Sequence, residues 1–338
     1  MKTYLTAAAI LAAAFSATAA ADTVLRFNRW IPATNFTQSE IFDPWARDIA
    51  KATDGRVRIE FTASSLAPPP RQYQLATDGV SDVVWHAHGY TPGVFPLSEM
   101  VELPFTGDSA EAISVAYWRV YKKYLEPANM HRGVITLAVH VTPPGGIYNN
   151  KHAITKLEDF RGLKIRSTNA LVTTALKMFG AVPIAAPVTE IREGLSRGVM
   201  DGTTFTDDAI FSFKIAPFVK FATKVPGGLY NQSFVVAISP KKWQELPEAD
   251  RAAISKLSGE AFARRLGSVW DGVGAKAVAE LKAAGIGVHV AQGPLLQDMR
   301  EKLAPFERDW IARAKASGVD GQAALAMLRA EIAGFKAK

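Results

Sequence analysis

The chain contains no cysteine, so no disulfide can staple it and its stability has to come from the size of an apolar core. At 338 residues it is long enough to build one, and the length suggests two domains. Long apolar runs are scarce as well. The one that stands out, Leu5 to Phe15, is mostly alanine and is too short for a membrane span, which takes about 20 residues. Lys2 precedes it and the small-residue tail "SATAAAD" follows. Residues 1–21 therefore read as a secretory signal peptide, cleaved near Ala19 to Ala21, and the mature protein is expected to be exported and soluble. Basic blocks are absent beyond the pairs Lys122, Lys123 and Lys241, Lys242, so the net charge of +7 is spread thinly. Nucleic acid is a poor partner for such a chain; small anionic ligands suit it better.

Catalytic signatures are missing too. There is no G-x-S-x-G elbow, Walker loop, G-x-G-x-x-G fingerprint or H-E-x-x-H pair. Gly145 and Gly146 follow two prolines and read as a turn, not a phosphate cradle. His86 and His88 would face one way from a strand, as two metal ligands must, but no third ligand stands nearby, so packing or pocket-lining histidines are the better reading. No metal or cofactor is expected. Asp207 and Asp208 are adjacent and diverge, and a helix N-cap is the plainer role for one of them.

What is present is a regular alternation of strands and helices. "VLRFNRW" reads as a strand, followed by a helix in "TQSEIFDPWARDIAKATDG" with a capping box of Thr37 and Glu40. That helix carries Ile41, Trp45 and Ile49 on one face and stops at Gly55. "RVRIEF", a short helix after "LAPPP", the apolar "DVVWHAH", a helix in "DSAEAISVAYWRVYKKYLEP" and the strand "VITLAVHV" continue the rhythm. "GLKIR" then leads to a helix over 169–179, "VPI", a helix from Thr189 to Arg197 and the strand "MDGTTF". Such alternation argues for parallel sheets with helices on both faces and ligands at the carboxyl ends of the strands. From Pro240 a long or broken helix runs to Gly285, followed by the strand "IGVHV" and two more helices.

Within this rhythm Arg166 is out of place. A fixed positive charge at the end of the buried strand "GLKIR", beside the helix opened by Ser167, Thr168 and Asn169, faces the positive end of a helix dipole. Taken alone, it would be read as a salt-bridge former.

The segment "LEDFRGLKIRSTNALVTTALKMFGAVPIAAPVTEIREGLSRGVMDGTTF" resembles the signature region of the DctP-type periplasmic solute-binding proteins of tripartite ATP-independent periplasmic (TRAP) transporters. "DGRVRIEFTASSLAPPPRQYQLATDGVSDVVWHAHGYTPGVFPLSEMVELPF" and "SPKKWQELPEADRAAI" are similar to other parts of the same family. The resemblance implies an α/β, two-lobed periplasmic binding protein fold with a ligand cleft between the lobes and a long bracing helix. Lobe I would comprise residues 22–143 and 232–271; lobe II and the C-terminal helices would comprise 144–231 and 272–338. The arginine after "GLKI" is the family's main carboxylate anchor, which assigns Arg166. A guanidinium presents a planar fork to a carboxylate, and an anion between it and a helix N-terminus satisfies both.

The resemblance also has gaps. Phe205 occupies the position of an asparagine in the sialic-acid branch, which argues against that ligand. Val94 stands where many relatives have arginine, and Thr206 and Asp208 where they have proline and glutamate. Trp30, Trp85 and His86 are expected to face the cleft from the first lobe, and Phe205 and Asp208 from the second. This aromatic set favours an organic acid, such as an aromatic or other monocarboxylate, over a polyhydroxylated sugar acid. The implied role is capture of the acid in the periplasm and delivery to the small and large TRAP membrane subunits, without covalent chemistry. A sensor's ligand-binding module, or a periplasmic enzyme acting on the same acids, would be the alternatives.

Overall fold

The structure, a computed structural model, describes residues 22–336; the leader read over residues 1–21 lies outside the described residues. Among them the strands are β1 (Thr23–Phe27), β2 (Val57–Phe61), β3 (Val83–Ala87), β4 (Ile135–Asn149), β5 (Lys164–Ser167), β6 (Val182–Ala185), β7 (Gly202–Phe205), β8 (Phe221–Lys224), β9 (Tyr230–Ile238) and β10 (Gly287–Val290). They run in the order β2-β1-β3-β9-β4-β7-β5-β6, with β8 bridging β4 and β10. One sheet carries β1 to β3 and the other β5 to β8 with β10. The long strand β4 belongs to both: residues up to Gly145 pair with β9, and Gly146 to Asn149 lie between β7 and β8.

Two expectations from the sequence change here. The β1/β2, β1/β3, β5/β6, β5/β7 and β8/β10 pairs are parallel, but β4 and β9 run against their neighbours, so each sheet is mixed. Gly145 and Gly146 form no turn; the strand continues through Pro143 and Pro144. Those prolines lack an N–H to give to a ladder, and they sit where the β4/β9 register shifts, between Val141 and Pro144.

The helices are α1 (Asp43–Ala52), α2 (Gln72–Thr77), α3 (Ala110–Val120), α4 (Ala170–Phe179), α5 (Ile191–Ser196), α6 (Asp207–Ser212), α7 (Pro240–Glu245), α8 (Glu248–Lys256), α9 (Gly259–Ala283), α10 (Gly293–Leu303), α11 (Pro305–Ala316) and α12 (Gly321–Ala333). Ile41, Trp45 and Ile49 are buried together at the first helix, as its periodicity requires. The capping box does not form. Pro44 has no N–H to donate to Glu40, residues Thr37–Phe42 wind as a π-helix, and the Thr37 hydroxyl donates to Asn35 Oδ1 at 2.8 Å.

The long C-terminal helical region is broken into α7, α8 and α9, and three helices follow β10 where two were expected, because Pro305 starts α11 directly after Ala304. Of these, α9 is the brace. Gly267 lets it approach α3 so closely that a Cβ there would stand 2.4 Å from Glu111 Cα. Asp271 accepts from the Ser109 hydroxyl and the Ala110 N–H, both at 2.7 Å, at the start of α3. The same helix packs on β4 and on α6 of the second sheet, so it touches both lobes. α10 rests on α4, whereas α11 and α12 rest on Ser98–Val101 and α3.

Candidate functional site

Arg166 lies in β5, between β6 and β7, and is 1% exposed. Its Nε donates to the Ala186 carbonyl at 2.8 Å and its Nη1 to the Thr204 carbonyl at 3.1 Å. Its Nη2 is buried and has no partner among the described residues. The guanidinium also lies over the Phe205 ring, 5.6 Å from its centroid, and beside Tyr230. Burial pushes the Tyr230 phenol up, against the opposing pull of Arg166 and a hydrogen bond with Thr204. Two neutral carbonyls thus hold a buried cation whose third nitrogen is free for an acceptor. The helix dipole that makes the position puzzling is already met on the protein side, since Asn169 caps α4 by accepting from the Val172 N–H at 2.8 Å.

Phe205 and Tyr230 are also walls of a cavity of about 60 Å3 between the lobes, completed by Trp30, Trp85, Phe234 and Trp270 with neighbouring residues. That volume is small for a ligand site. The lobes stand close together, and admission of a ring requires them to part. The first-lobe wall is a stack. Trp30 lies on Trp85 with centroids 5.1 Å apart, and Trp85 on Phe234 at 4.7 Å. The indole N–H groups of this stack are used internally: Trp30 donates to the Trp85 carbonyl at 2.7 Å and Trp85 to His140 Nε2 at 2.9 Å. The wall therefore offers the cleft π-faces with few polar demands.

Trp30, Trp85 and Phe205 thus come together, with Arg166 behind Phe205. His86 and Asp208 do not join them. Successive residues of a strand face opposite sides, so β3 turns Trp85 to the cavity and His86 away from it, against Tyr73 and Phe95, with its Nε2 3.1 Å from Thr91 Oγ1. His88 lies just past the strand, in the 3-10 helix His88–Tyr90, and its ring stays 6.5 Å from that of His86, both packed on Phe95 on the side away from the cavity. Asp208 sits in the first turn of α6, with Thr206 as the N-cap residue, and Thr206 and Ala209 line the cavity in its place. Its carboxylate is buried and pushed up to about 7 by that burial; the Thr206 hydroxyl and the local backbone N–H groups favour the anion, although none reaches hydrogen-bonding geometry. Among the described residues no group of three His, Asp or Glu side chains could hold a metal ion.

Several residues at the cavity and the seam escaped the sequence. Trp270 comes from α9 and Tyr230, Gln232 and Phe234 from β9, elements whose relation to the cleft is set by packing alone. Glu102, within the "VELPF" segment, is another. Its Oε1 accepts from Ser233 N–H (3.0 Å), the Ser233 hydroxyl (2.7 Å) and Gln232 Nε2 (2.9 Å), and its Oε2 from Asn169 Nδ2 (3.0 Å). Burial pushes this carboxyl up to about 8, while the four donors favour its anion. Through Asn169 it ties the first lobe to the start of α4. Two more contacts cross the same seam: Val188 N–H donates to the Tyr90 hydroxyl at 3.2 Å, and Gly89 lies so close that a Cβ there would be 2.6 Å from Asn169 Cβ.

Behind Glu102 a string of buried histidines continues, with His88 Nδ1 3.0 Å from Ser233 Oγ and His88 Nε2 2.8 Å from His131 Nε2. Burial pushes His86, His131 and His140 down to about 3, and holds His88 well below the usual range with help from its histidine neighbours. In the unfolded chain such groups take up protons near pH 6.5. Their contribution to stability is therefore complete above pH 6.5 and is lost as the pH falls toward 3, by roughly 2 kcal/mol per histidine at pH 5. Thermal melts should show the melting temperature falling steeply between pH 7 and 5; a flat profile would contradict neutral burial.

A cleft between two sheets, a strand shared by both, a brace helix and a buried cation beside aromatic walls define a two-lobed binding protein. The family model for the bacterial extracellular solute-binding proteins of family 7, DctP, matches residues 28–313, and the chain belongs to that family. It is 33% identical over 328 residues, 96% of each chain, to the outer membrane transporter protein TsaT of Comamonas testosteroni. Among solved structures it is similar to a TRAP periplasmic solute-binding protein from Bordetella bronchiseptica with bound (R)- and (S)-mandelate (37% identity, TM-score 0.90, covering 92% of this chain and 99% of that one). It is similar also to a TRAP solute-binding protein from Rhodoferax ferrireducens in complex with benzoate (29% identity, TM-score 0.86, covering 92% and 98%). The chain is thus an extracellular solute-binding protein of that family, and the two similar structures are TRAP solute-binding proteins.

Proposed function

We propose that the protein captures an aromatic monocarboxylate outside the cytoplasm and hands it to the membrane subunits of a TRAP transporter, without altering it. The observation that carries this reading is the unpaired, buried Nη2 of Arg166 beside a cavity walled by Trp30, Trp85, Phe205 and Phe234. A buried guanidinium without a counter-ion is costly; a carboxylate supplies both the charge and the missing acceptor, and the attached ring fills an apolar slot. The mandelate and benzoate held by the two similar structures support the same ligand class. Export to the periplasm agrees with the leader read at residues 1–21 and with the periplasmic relatives; among the described residues no helix is long and apolar enough to cross a membrane. We place one lobe boundary where β4 passes from the first sheet to the second, near residue 143, and the other near residue 232, where the chain has returned to the first sheet in β9, in keeping with the division read from the sequence.

A thermal-shift screen tests the ligand class. Benzoate, mandelate and phenylacetate at about 100 times their dissociation constants should each add roughly 2.7 kcal/mol of stability, visible as a raised melting temperature, while the matching amides should not. Shifts confined to dicarboxylates or sugar acids would overturn the aromatic assignment. Shifts by the amides as well would overturn the role of the carboxylate.

A further inference from the structure

Trp270 lines the cavity and is 6% exposed, and its indole N–H is buried without a partner among the described residues. Five of the other polar groups around it are occupied. Trp30 and Trp85 donate within the stack, the Thr142 hydroxyl to the Pro143 carbonyl (3.0 Å), the Thr168 hydroxyl to Gln232 Oε1 (2.7 Å) and the Gln232 amide to Glu102. A buried donor left unpaired is destabilising. Phenylalanine at 270 would make the same edge-on contact with the ring of Phe36, whose centroid is 4.8 Å away, without that penalty.

Nor does Trp270 stand on the same wall as Arg166. Arg166 belongs to β5, whose strand neighbours are β6 and β7, whereas Trp270 belongs to α9, which rests on α3, β4 and α6. A group held on the Arg166 fork and one held on the indole N–H would thus be reached from different elements.

We infer that Trp270 is a specificity-determining residue whose indole N–H binds a second ligand oxygen, distinct from the carboxylate, so that the preferred substrates are aromatic acids carrying a hydroxyl. The inference rests on the aromatic-acid reading above and adds the second anchor. A site built to hydrogen-bond a substrate oxygen discriminates against the analogue that lacks it, because the buried donor is then left unpaired.

Two matched pairs test it by calorimetry: mandelate with phenylacetate, and 3-hydroxybenzoate with benzoate. In the wild-type protein the hydroxylated member of at least one pair should bind about fivefold to tenfold more tightly than its partner. In Trp270→Phe that preference should vanish, the hydroxylated acid losing about fivefold to tenfold more affinity than its unhydroxylated partner. Equal weakening of both members, or a preference that survives in the variant, would overturn the inference while leaving the aromatic-acid reading intact. Failure of the wild-type protein to bind any of the four acids would overturn that reading, and the inference with it. Should Trp270→Phe fail to fold, protein labelled with 15N-tryptophan decides the matter. The assigned Trp270 indole N–H resonance should move downfield on adding the hydroxylated acid and not on adding its partner, and identical responses to both would count against the second anchor.

Discussion

Arg166→Ala is expected to bind its carboxylate ligand at least 100-fold more weakly than the wild-type protein. The guanidinium is almost wholly buried and is held by the Ala186 and Thr204 carbonyls with Nη2 left over, so its orientation is set before any anion arrives. Removing one partner of a buried charge pair costs about 3 to 5 kcal/mol, which is roughly two to three and a half decades of affinity. The opposite sign is expected for the protein without ligand. A buried cation with no carboxylate partner among the described residues weakens the fold, and Arg166→Met keeps most of the stem's volume while removing the charge. Its melting temperature in the absence of ligand should equal or exceed that of the wild type. Calorimetry showing less than a fivefold loss for Arg166→Ala would sink the anchor assignment, whatever the variant does to stability.

The second large effect is expected at Gly89, which is not itself among the residues that line the cavity. Its Cα lies against the first residues of α4 from the opposite lobe, and the Cβ of an alanine would stand 2.6 Å from Asn169 Cβ, 3.0 Å from Gln232 Nε2 and 3.2 Å from the Thr168 carbonyl. The glutamine amide can move, but the Asn169 Cβ and the Thr168 backbone cannot without parting the lobes. Overpacking of this kind costs about 1 to 3 kcal/mol, and here the cost falls on the joined lobes alone. Gly89→Ala should therefore bind the acid about tenfold or more weakly and keep its ligand-free melting temperature. Small-angle scattering should find it more open with ligand present. Wild-type affinity in this variant would show that the contact between Gly89 and Asn169 has no part in ligand capture.

How much of this was legible in the sequence differs from element to element. Arg166 stood out in the sequence because a charge interrupts a buried strand beside a helix start, and because the surrounding pattern resembles a known family; its burial was legible on the same ground. Trp30, Trp85 and Phe205 followed from the rule that ligands gather at strand ends. His86 failed for a reason equally local: it neighbours Trp85 in a strand, and only one of two adjacent residues can face a given side. Asp208 failed on helix phase, which single-residue reasoning at a helix start does not fix. Trp270 and the β9 residues were beyond reach, since nothing in "SVWDG" or "YNQSFVVAI" says which surface they meet. The strand through Pro143 and Pro144 was hidden by the usual meaning of proline, and only the register shift at that point makes room for it.

One stretch of β9 gathers these roles. Tyr230, Gln232 and Phe234 alternate toward the cavity, while Ser233 between them faces Glu102 and His88 on the other side. Tyr230 also lies against Gly145, where a Cβ would stand 2.1 Å from its ring, at the point where β4 changes sheets. Five consecutive residues thus carry part of the cavity wall, the tie across the seam and the edge of the crossing between the sheets. A receptor built this way has no need of a relay between occupancy and shape. On the proposed reading, an acid that presses on the even-numbered side chains would bear directly on the segment beside the crossing of β4 between the sheets.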